Sequence, residues 1–392
     1  MWKRAGAVFV LALIALTAPP IRAADEPYDL YAILSLTGPA AFIGTSAKTT
    51  LGAFQKWANL NGGIRGRPLN VVIQDDQSNP DTAVQLADQL FAKGIPAVIG
   101  PNFGATCSAV LPRVRNGPVL YCLANVIHPP TGSYAFVANL STKDFTAAGF
   151  RYLQAGGVRK IALLTTTDAS GQDGEAVALE SLKSPEFRNL QLVANEHFAP
   201  GDLSVSAQMA RIKASGAQAL DAWTTGTPFG TVLRNVQETG WNGVVMTNGG
   251  NVNTQQMKQY ADFIPTQMIL TASPYVSSNT GLAPGVLAMR ATFLAAMHDV
   301  GIATPDTAVA SAWDPTLIIV SGLRQLGPNA TATQLRDYIL KLHDFAGLNG
   351  MYDFRRGDQH GLDPLSSPLV RWDKTAGAFV LISKPGGMPL SP

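Results

Sequence analysis

The sequence of 392 residues has little charge, almost no cysteine and no long apolar run beyond its N-terminus. Charged residues make up 14% and hydrophobic residues 46%, which excludes an intrinsically disordered chain and a coiled coil. Two cysteines are too few for a small fold that depends on disulfides. No stretch of 18 apolar residues follows the N-terminal region, so no membrane-spanning helix is predicted there. At about 100–200 residues per domain, the length predicts two domains.

Motifs of catalysis and of nucleotide or metal binding are also missing. Residues 38–49 resemble a phosphate-binding loop, but Ala47 precedes Lys48 where that loop needs glycine. No GxGxxG follows the first predicted strand, and there is no GxSxG, HExxH or CxxC. The five histidines lack metal-ligand spacing. We therefore expect no enzyme, no cofactor and no bound metal.

The N-terminus has the pattern of a secretory signal peptide. Lys3 and Arg4 precede an apolar run at residues 5–18, and the small residues Ala23 and Ala24 follow. The run is too short to cross a hydrocarbon core of about 30 Å. We expect residues 1–23 to be removed on export and the mature chain not to be embedded in a membrane.

The net charge of +2 comes from this predicted signal. Without Lys3, Arg4 and Arg22, 26 of the 29 basic residues remain against 27 acidic ones, which gives a formal charge of −1. Binding to nucleic acid needs a basic stripe that displaces counterions from phosphates, and the sequence shows none. A nucleic-acid partner is therefore not expected.

Short apolar strands alternate with amphipathic helices, which is typical of α/β folds with parallel sheets. Residues 160–166 and 219–223 are predicted strands, and 307–326 is predicted as one helix. Asn79 and Pro80 indicate a helix start. Changes of pattern near residues 142, 273 and 348 predict three crossings between two Rossmann-like lobes. The predicted lobes comprise residues 24–141 plus 274–347, and residues 142–273 plus 348–392.

Small, neutral and polar residues follow many of the predicted strands. In open α/β sheets, ligands bind beyond the carboxyl ends of the strands. Glycine, serine, threonine and asparagine there offer hydrogen bonds without a nucleophile and its base, which indicates binding and not catalysis. The loops concerned are 35–44, 100–108, 123–125, 165–172, 224–230 and 247–251.

The two cysteines fall at one edge of the first predicted sheet. Cys107 lies at a predicted helix start and Cys122 near the end of the next strand. Helix starts and strand ends share one edge of a parallel sheet, and the exported chain meets an oxidising compartment. A disulfide and two buried thiols both fit this placement, and the sequence leaves both open.

Five segments, in their order and spacing, carry a family resemblance over nearly all of the mature chain. They are 30–80, 97–112 (AVIGPNFGATCSAVLP), 117–125, 168–172 and 350–361. They resemble the periplasmic solute-binding proteins of ABC importers of the branched-chain amino acid type. The resemblance implies the type I periplasmic binding fold, a periplasmic location, a small-molecule ligand, a membrane permease as partner and a monomer.

The resemblance also implies ligand contacts, and this sequence departs from several of them. Gly104 stands where the family usually has serine, with Thr106 as a candidate for the missing hydroxyl. Asn125 replaces a threonine, and Ser170 replaces an aromatic residue. The acidic residue that pairs with an amino acid's ammonium falls at Asn248 or Gly249. The implied contacts are Phe42, Ile43, Asn102, Phe103, Gly104, Ala105, Thr106, Ala124, Asn125, Ser170, Thr227, Asn248 and Gly249.

The missing acidic residue leads to a hypothesis about the ligand. Burying an ammonium without a carboxylate partner costs several kcal/mol. A carboxylate needs only N–H donors, and the helix start at residues 104–106 offers them. We expect an aromatic or other organic acid that lacks an α-ammonium. Asp168, at another strand end, is an alternative acid, so an amino acid ligand stays open, as does a sensory role.

Overall fold

The computed structural model describes Trp2 and residues 26–390. The predicted export signal therefore lies outside the described residues, apart from Trp2. None of the described helices is both long enough and apolar enough to cross a membrane. The described chain forms two sheets with helices packed against them, which confirms the predicted α/β class with two lobes.

The first sheet has five strands, all parallel, in the order β2-β1-β3-β4-β5. Alternate residues of β1 face opposite sides, as the period of two along a strand requires. Leu30 and Leu34 enter one apolar core, whereas Ile33 enters the other. The strands are β1 (Tyr28–Leu34), β2 (Leu69–Asp75), β3 (Ala97–Ile99), β4 (Val119–Cys122) and β5 (Ala135–Val137).

The second sheet has seven strands in the order β14-β13-β10-β9-β8-β6-β7. Its five strands from β10 to β7 are parallel, and β13 and β14 add an antiparallel edge. A separate hairpin joins β11 to β12. The strands are β6 (Lys160–Thr166), β7 (Gln191–Phe198), β8 (Ala219–Trp223), β9 (Val244–Thr247), β10 (Met268–Thr271), β11 (Phe345–Ala346), β12 (Met351–Tyr352), β13 (Leu369–Asp373) and β14 (Ala378–Leu381).

Helices connect and cover the strands. The predicted helix start at Asn79 is confirmed, because its side chain accepts hydrogen bonds from the N–H groups of Asp81 and Thr82. The helices are α1 (Ala41–Leu60), α2 (Pro80–Phe91), α3 (Gly104–Val110), α4 (Thr142–Ala155), α5 (Ala169–Leu182), α6 (Ser206–Ala214), α7 (Thr227–Glu238), α8 (Thr254–Gln259), α9 (Pro284–His298), α10 (Thr307–Ala310), α11 (Trp313–Leu326) and α12 (Ala332–Lys341).

The single helix predicted at residues 307–326 is wrong, because the structure has two helices there. The chain breaks at Ser311 and Ala312, between α10 and α11. Pro315 explains the break, since its ring clashes with the preceding turn and proline is tolerated only near the start of a helix. The apolar periodicity continues through both helices and hides the boundary.

Helix α11 returns to the first lobe, where it packs on α1. The Trp313 ring lies 5.0 Å from the Phe54 ring and 5.5 Å from the Trp57 ring, measured between centroids. All three side chains belong to the apolar core of the first sheet or pack against it. The chain after β10 therefore contributes to the lobe with which it began.

Buried Asp314 in α11 fixes the turn at residues 348–352 to the same lobe. Its carboxylate accepts hydrogen bonds from Leu348 N–H, Asn349 N–H and the Tyr352 hydroxyl, at 2.6, 2.9 and 2.9 Å. Burial is the largest influence on Asp314 and raises the pKa of its carboxyl. Leu362 also packs in the first core. We therefore place the third crossing, as a proposal, after Leu362 and not at the predicted residue 348.

Cys107 lies in α3 and Cys122 at the end of β4, at the edge that the sequence indicates. Their Cα atoms are 6.2 Å apart, within the range that a disulfide allows, and the structure links their Sγ atoms. Both side chains are fully buried. A bond here ties the first turns of α3 to the adjacent strand, next to the carboxyl edge of the sheet.

Candidate ligand-binding cleft

A cavity lies where the carboxyl ends of the strands of both sheets face each other, and we call it the cleft. Residues that follow β3, β4, β8 and β9 line it, together with the starts of α3 and α5. The cavity has a volume of about 70 Å³. One water molecule needs about 10–15 Å³ of such a cavity, so the cleft has room for several waters or for a small organic ligand.

Most of the residues that the sequence implies for ligand contact are brought together in this cleft. They come from both lobes, and from loops that are far apart in the sequence. Their contact with a ligand stays a prediction. The ones that line the cleft are Ile43, Asn102, Phe103, Gly104, Ala124, Asn125, Ser170, Asn248 and Gly249.

Phe42 and Thr227 do not line the cleft but lie where the lobes touch. Asn253 Nδ2 in the second lobe donates to the Phe42 carbonyl and to Ser46 Oγ, both at 3.1 Å. Thr227 N–H donates to the Pro39 carbonyl at 3.1 Å. These bonds join the first lobe to the second, and we call them the Pro39 contact.

Ala105 and Thr106 lie in the first turn of α3 and do not line the cleft either. The Thr106 hydroxyl donates to the Phe103 carbonyl at 3.0 Å and is buried. It therefore does not replace the hydroxyl that Gly104 lacks. A Cβ atom on Gly104 would lie 3.1 Å from Ser170 Cβ, so a larger residue there would press against the second lobe.

An ion pair joins the lobes near Gly104 and Ser170. His128 Nε2, in the loop after β4, lies 2.6 Å from Asp173 Oδ1 in α5. The hydrogen bond to Asp173 is the largest influence on His128 and raises the pKa of its imidazole. With the Pro39 contact and the hydrogen bonds from Thr254 N–H to Asp306 and from Ala308 N–H to the Val252 carbonyl, the lobes touch at several places, so the structure is a closed form.

The residues that line the cleft include no Asp, Glu, Lys, Arg or His. Asn248 stands where the resemblance places the acidic residue, and its amide is engaged by its own loop. Its Oδ1 accepts from Gly250 N–H at 2.9 Å, and its Nδ2 donates to the Thr224 carbonyl at 3.2 Å. Gly249, the other position, has no side chain.

Asp168, the alternative acid, does not line the cleft. Its Oδ1 accepts from Gly171 N–H at 3.0 Å and from the Thr166 hydroxyl at 2.9 Å, so that it caps the N-terminus of α5. The cleft described here therefore offers no carboxylate to an ammonium group.

Two N–H donors beside the cleft have no acceptor among the described residues. Asn102 Oδ1 accepts from Ser35 N–H at 2.7 Å, which fixes the amide and leaves Nδ2 without a partner. Trp223 Nε1 is likewise unpaired. Both groups are buried, and a buried unpaired donor is costly. One belongs to each lobe, and both residues line the cleft.

The sequence-based reasoning missed a second set of lining residues. Trp223 ends a correctly predicted strand, and Thr225 and Gly250 fall within the loops that follow strands. Their place at the ends of strands was therefore the signal that could have identified them. Phe145 and Thr307 lie in helices, where the rule about strand ends does not point to them. The full set is Leu123, Val126, Asn139, Phe145, Trp223, Thr225, Gly250, Thr307, Ala308 and Ser311.

Solved structures share this fold closely. An extracellular ligand-binding receptor from Rhodopseudomonas palustris HaA2 aligns with a TM-score of 0.80 at 20% identity, over 91% of this chain and 99% of that one. A solute-binding protein of an ABC transporter from R. palustris, in complex with benzoate, aligns with a TM-score of 0.74 at 17% identity, over 91% and 96%. At these identities the similarity shows the fold alone.

Sequence comparisons identify the family. The leucine-, isoleucine-, valine-, threonine- and alanine-binding protein of Pseudomonas aeruginosa is 24% identical over 227 residues, 56% of this chain and 60% of that protein. The match thus spans less than two thirds of that relative. The family model described as "Periplasmic binding protein" matches residues 32–377. The chain therefore belongs to the periplasmic binding protein family, and is a type I member related to the branched-chain amino acid binding proteins.

Proposed function

We propose that this chain is the periplasmic substrate-binding component of an ABC importer and carries a small organic acid that lacks an α-ammonium. A lining without charged side chains, next to two unpaired N–H donors, is the observation that carries this proposal. Hydrogen bonds from neutral donors to a carboxylate are stronger than those between neutral groups. An ammonium finds no carboxylate here, and burying it unpaired costs several kcal/mol.

The proposed mechanism is the closing of two lobes on the ligand. A ligand that contacts both lobes binds the closed form better and shifts the population toward it. The closed form, held by the Pro39 contact and the His128–Asp173 pair, is then presented to a membrane permease. No bond is made or broken, so the chain is not an enzyme. The exported protein acts as a monomer in the periplasm.

The rival ligand class is an amino acid, because the relative from P. aeruginosa is named for five of them. A thermal-shift screen separates the two classes, since a ligand stabilises by RT ln(1 + [L]/Kd), about 2.7 kcal/mol at 100 times Kd. We expect stabilisation by members of a panel of organic acids, benzoate included, and none by leucine, isoleucine or valine. Stabilisation by the amino acids alone would favour the rival class.

Replacing Gly226 with alanine is expected to weaken benzoate binding about tenfold or more. Gly226 has a φ of +82°, and an added Cβ would lie 2.3 Å from the Pro39 carbonyl oxygen. Because real Cβ atoms do not come so close to an oxygen, the closed form would be strained. Gly62→Ala is the control, since Gly62 has the same φ with open space around it. Calorimetry measures both, and unchanged affinity in Gly226→Ala would contradict a role of the Pro39 contact in closing.

A further inference from the structure

The indole ring of Trp223 packs against the backbone of Gly174 beside the cleft. A Cβ atom on Gly174 would lie 2.1 Å from Trp223 Cγ and 2.3 Å from Cδ1. Real Cβ atoms do not approach other atoms so closely, so the indole lies directly against the backbone of α5. Gly174 is in the middle of that helix, where glycine otherwise costs about 1 kcal/mol relative to alanine.

Helix α5 restricts the movement of the indole. Helix α5 blocks it on the Gly174 side, and the side chain is only 2% exposed. Trp223 lines the cleft, and it shares an apolar cluster with Phe145, which also lines it. The position of the ring therefore limits the space for a ligand on the second-lobe side.

Contacts between the lobes oppose a widening of the cleft. The Pro39 contact and the His128–Asp173 pair both join the first lobe to the second. Widening the cleft for a larger ligand would break these bonds. A ligand that extends beyond the available space would have to displace Trp223, which α5 prevents.

We propose that Trp223 determines the size of the ligand and that Gly174 is the residue that positions it. The ligand class is an acid with no more than one six-membered ring, or an alkyl chain of similar size, and two-ring acids are excluded. The inference rests on the proposed function for the acid, but the size limit itself is independent of the charged group of the ligand.

Calorimetric titrations with benzoate and 2-naphthoate test the size limit. In the wild type we expect benzoate to bind at least 100-fold more tightly, since even one methylene is discriminated by about 10–200-fold in a fitted pocket. In Trp223→Ala we expect 2-naphthoate to gain at least tenfold in affinity. Trp223→Phe, which keeps a ring but removes the N–H, is expected to retain the preference for benzoate.

Gly174→Ala tests whether Gly174 positions the indole, by reducing the space in the cleft where Trp223→Ala enlarges it. An added methyl group would push the indole into the cleft, and we expect benzoate affinity to fall at least tenfold. Gly52→Ala in α1 is the matched control, because that glycine is also helical and nothing lies within 4 Å of an added Cβ. Circular dichroism confirms that each variant is folded before the titrations are compared.

Several outcomes would overturn the inference. Equal binding of both acids by the wild type would do so, as would continued exclusion of 2-naphthoate by a folded Trp223→Ala. If Trp223→Ala fails to fold, the test depends on Gly174→Ala, and unchanged benzoate binding in that variant would overturn the inference. Binding of leucine but of neither acid would contradict the proposed function and leave the size limit untouched. The size limit is then tested in the same variants with leucine as the small ligand and tryptophan as the large one. If neither acids nor amino acids bind, both proposals fail.

Discussion

Replacing Asn102 with aspartate is expected to weaken the binding of benzoate more than 100-fold at pH 8. The change converts the unpaired Nδ2 donor into a carboxylate oxygen, while the other oxygen still accepts from Ser35 N–H. Two carboxylates about 4 Å apart repel each other by about 4 kcal/mol at the effective dielectric constant of a protein, and about 3 kcal/mol corresponds to more than 100-fold in affinity. Calorimetric titration of the folded variant measures the effect.

Asn189→Asp is the matched control for this charge change. Asn189 lies exposed before β7 in the second lobe, so its substitution adds the same charge far from the lining residues. Ser35 also donates its hydroxyl to buried Asp76, so the thermal stability of Asn102→Asp is measured alongside. A folded Asn102→Asp that binds benzoate as tightly as Asn189→Asp would contradict the role of Asn102 as a ligand donor.

The second large expected effect is a pH dependence of the free energy of unfolding, which arises from Asp221. This carboxyl lies on β8, in the centre of the second sheet, beside Leu163 and Met246 on the adjacent strands. Neither oxygen accepts a hydrogen bond from a described residue. Burial raises the pKa of Asp221 from 3.8 to about 7. The folded protein therefore holds a proton that the unfolded chain releases between pH 4 and 7.

The sign of the pH dependence follows from this difference in bound protons. Because the folded state binds more protons in this range, the free energy of unfolding falls as the pH rises. A pKa difference of about three units corresponds to a loss of about 4 kcal/mol between pH 4 and 7, with no further loss above that range. Stability from the neutral carboxyl is therefore fully present below about pH 4 and is lost progressively as the pH rises to about 7.

Urea unfolding of the wild type and of Asp221→Asn at pH 5 and pH 8 measures this contribution. The amide has nearly the same shape and does not titrate, so other buried carboxyls contribute equally to both proteins. Because the loss begins near pH 4, we expect the stability of Asp221→Asn relative to the wild type to grow by about 2.5 kcal/mol between pH 5 and pH 8. Parallel losses of stability in the two proteins between these pH values would contradict the assignment to Asp221.

The sequence predicted the elements of the fold well where local chemistry determines them. Residues 160–166 and 219–223 form strands with the predicted bounds, because apolar runs there end in polar loops. It failed at residues 307–326, where apolar periodicity continues across a break. The Asp314 bonds to Leu348 and Asn349, on which we base the proposed position of the third crossing, join segments that are distant in the sequence and follow no local pattern.

The cleft was predictable in position but not in detail. The strand-end rule identified the loops that carry Asn102, Ser170 and Asn248. It did not identify which residues line the cleft: Phe42 does not, and its carbonyl accepts a hydrogen bond from Asn253 of the second lobe. Phe145 lies in α4, just after the chain crosses between the lobes, and no local pattern marks it. Such residues are defined by how the lobes close, which depends on long-range packing.

Calorimetric titration with leucine and with 4-methylpentanoate tests the central claim most directly. The two ligands share the same carbon skeleton and carboxylate, and differ only in the α-ammonium group. A cleft without an acidic side chain should bind 4-methylpentanoate and bind leucine at least 100-fold more weakly, since several kcal/mol are lost with the unpaired ammonium. Tight binding of leucine, with weaker or no binding of 4-methylpentanoate, would contradict the account.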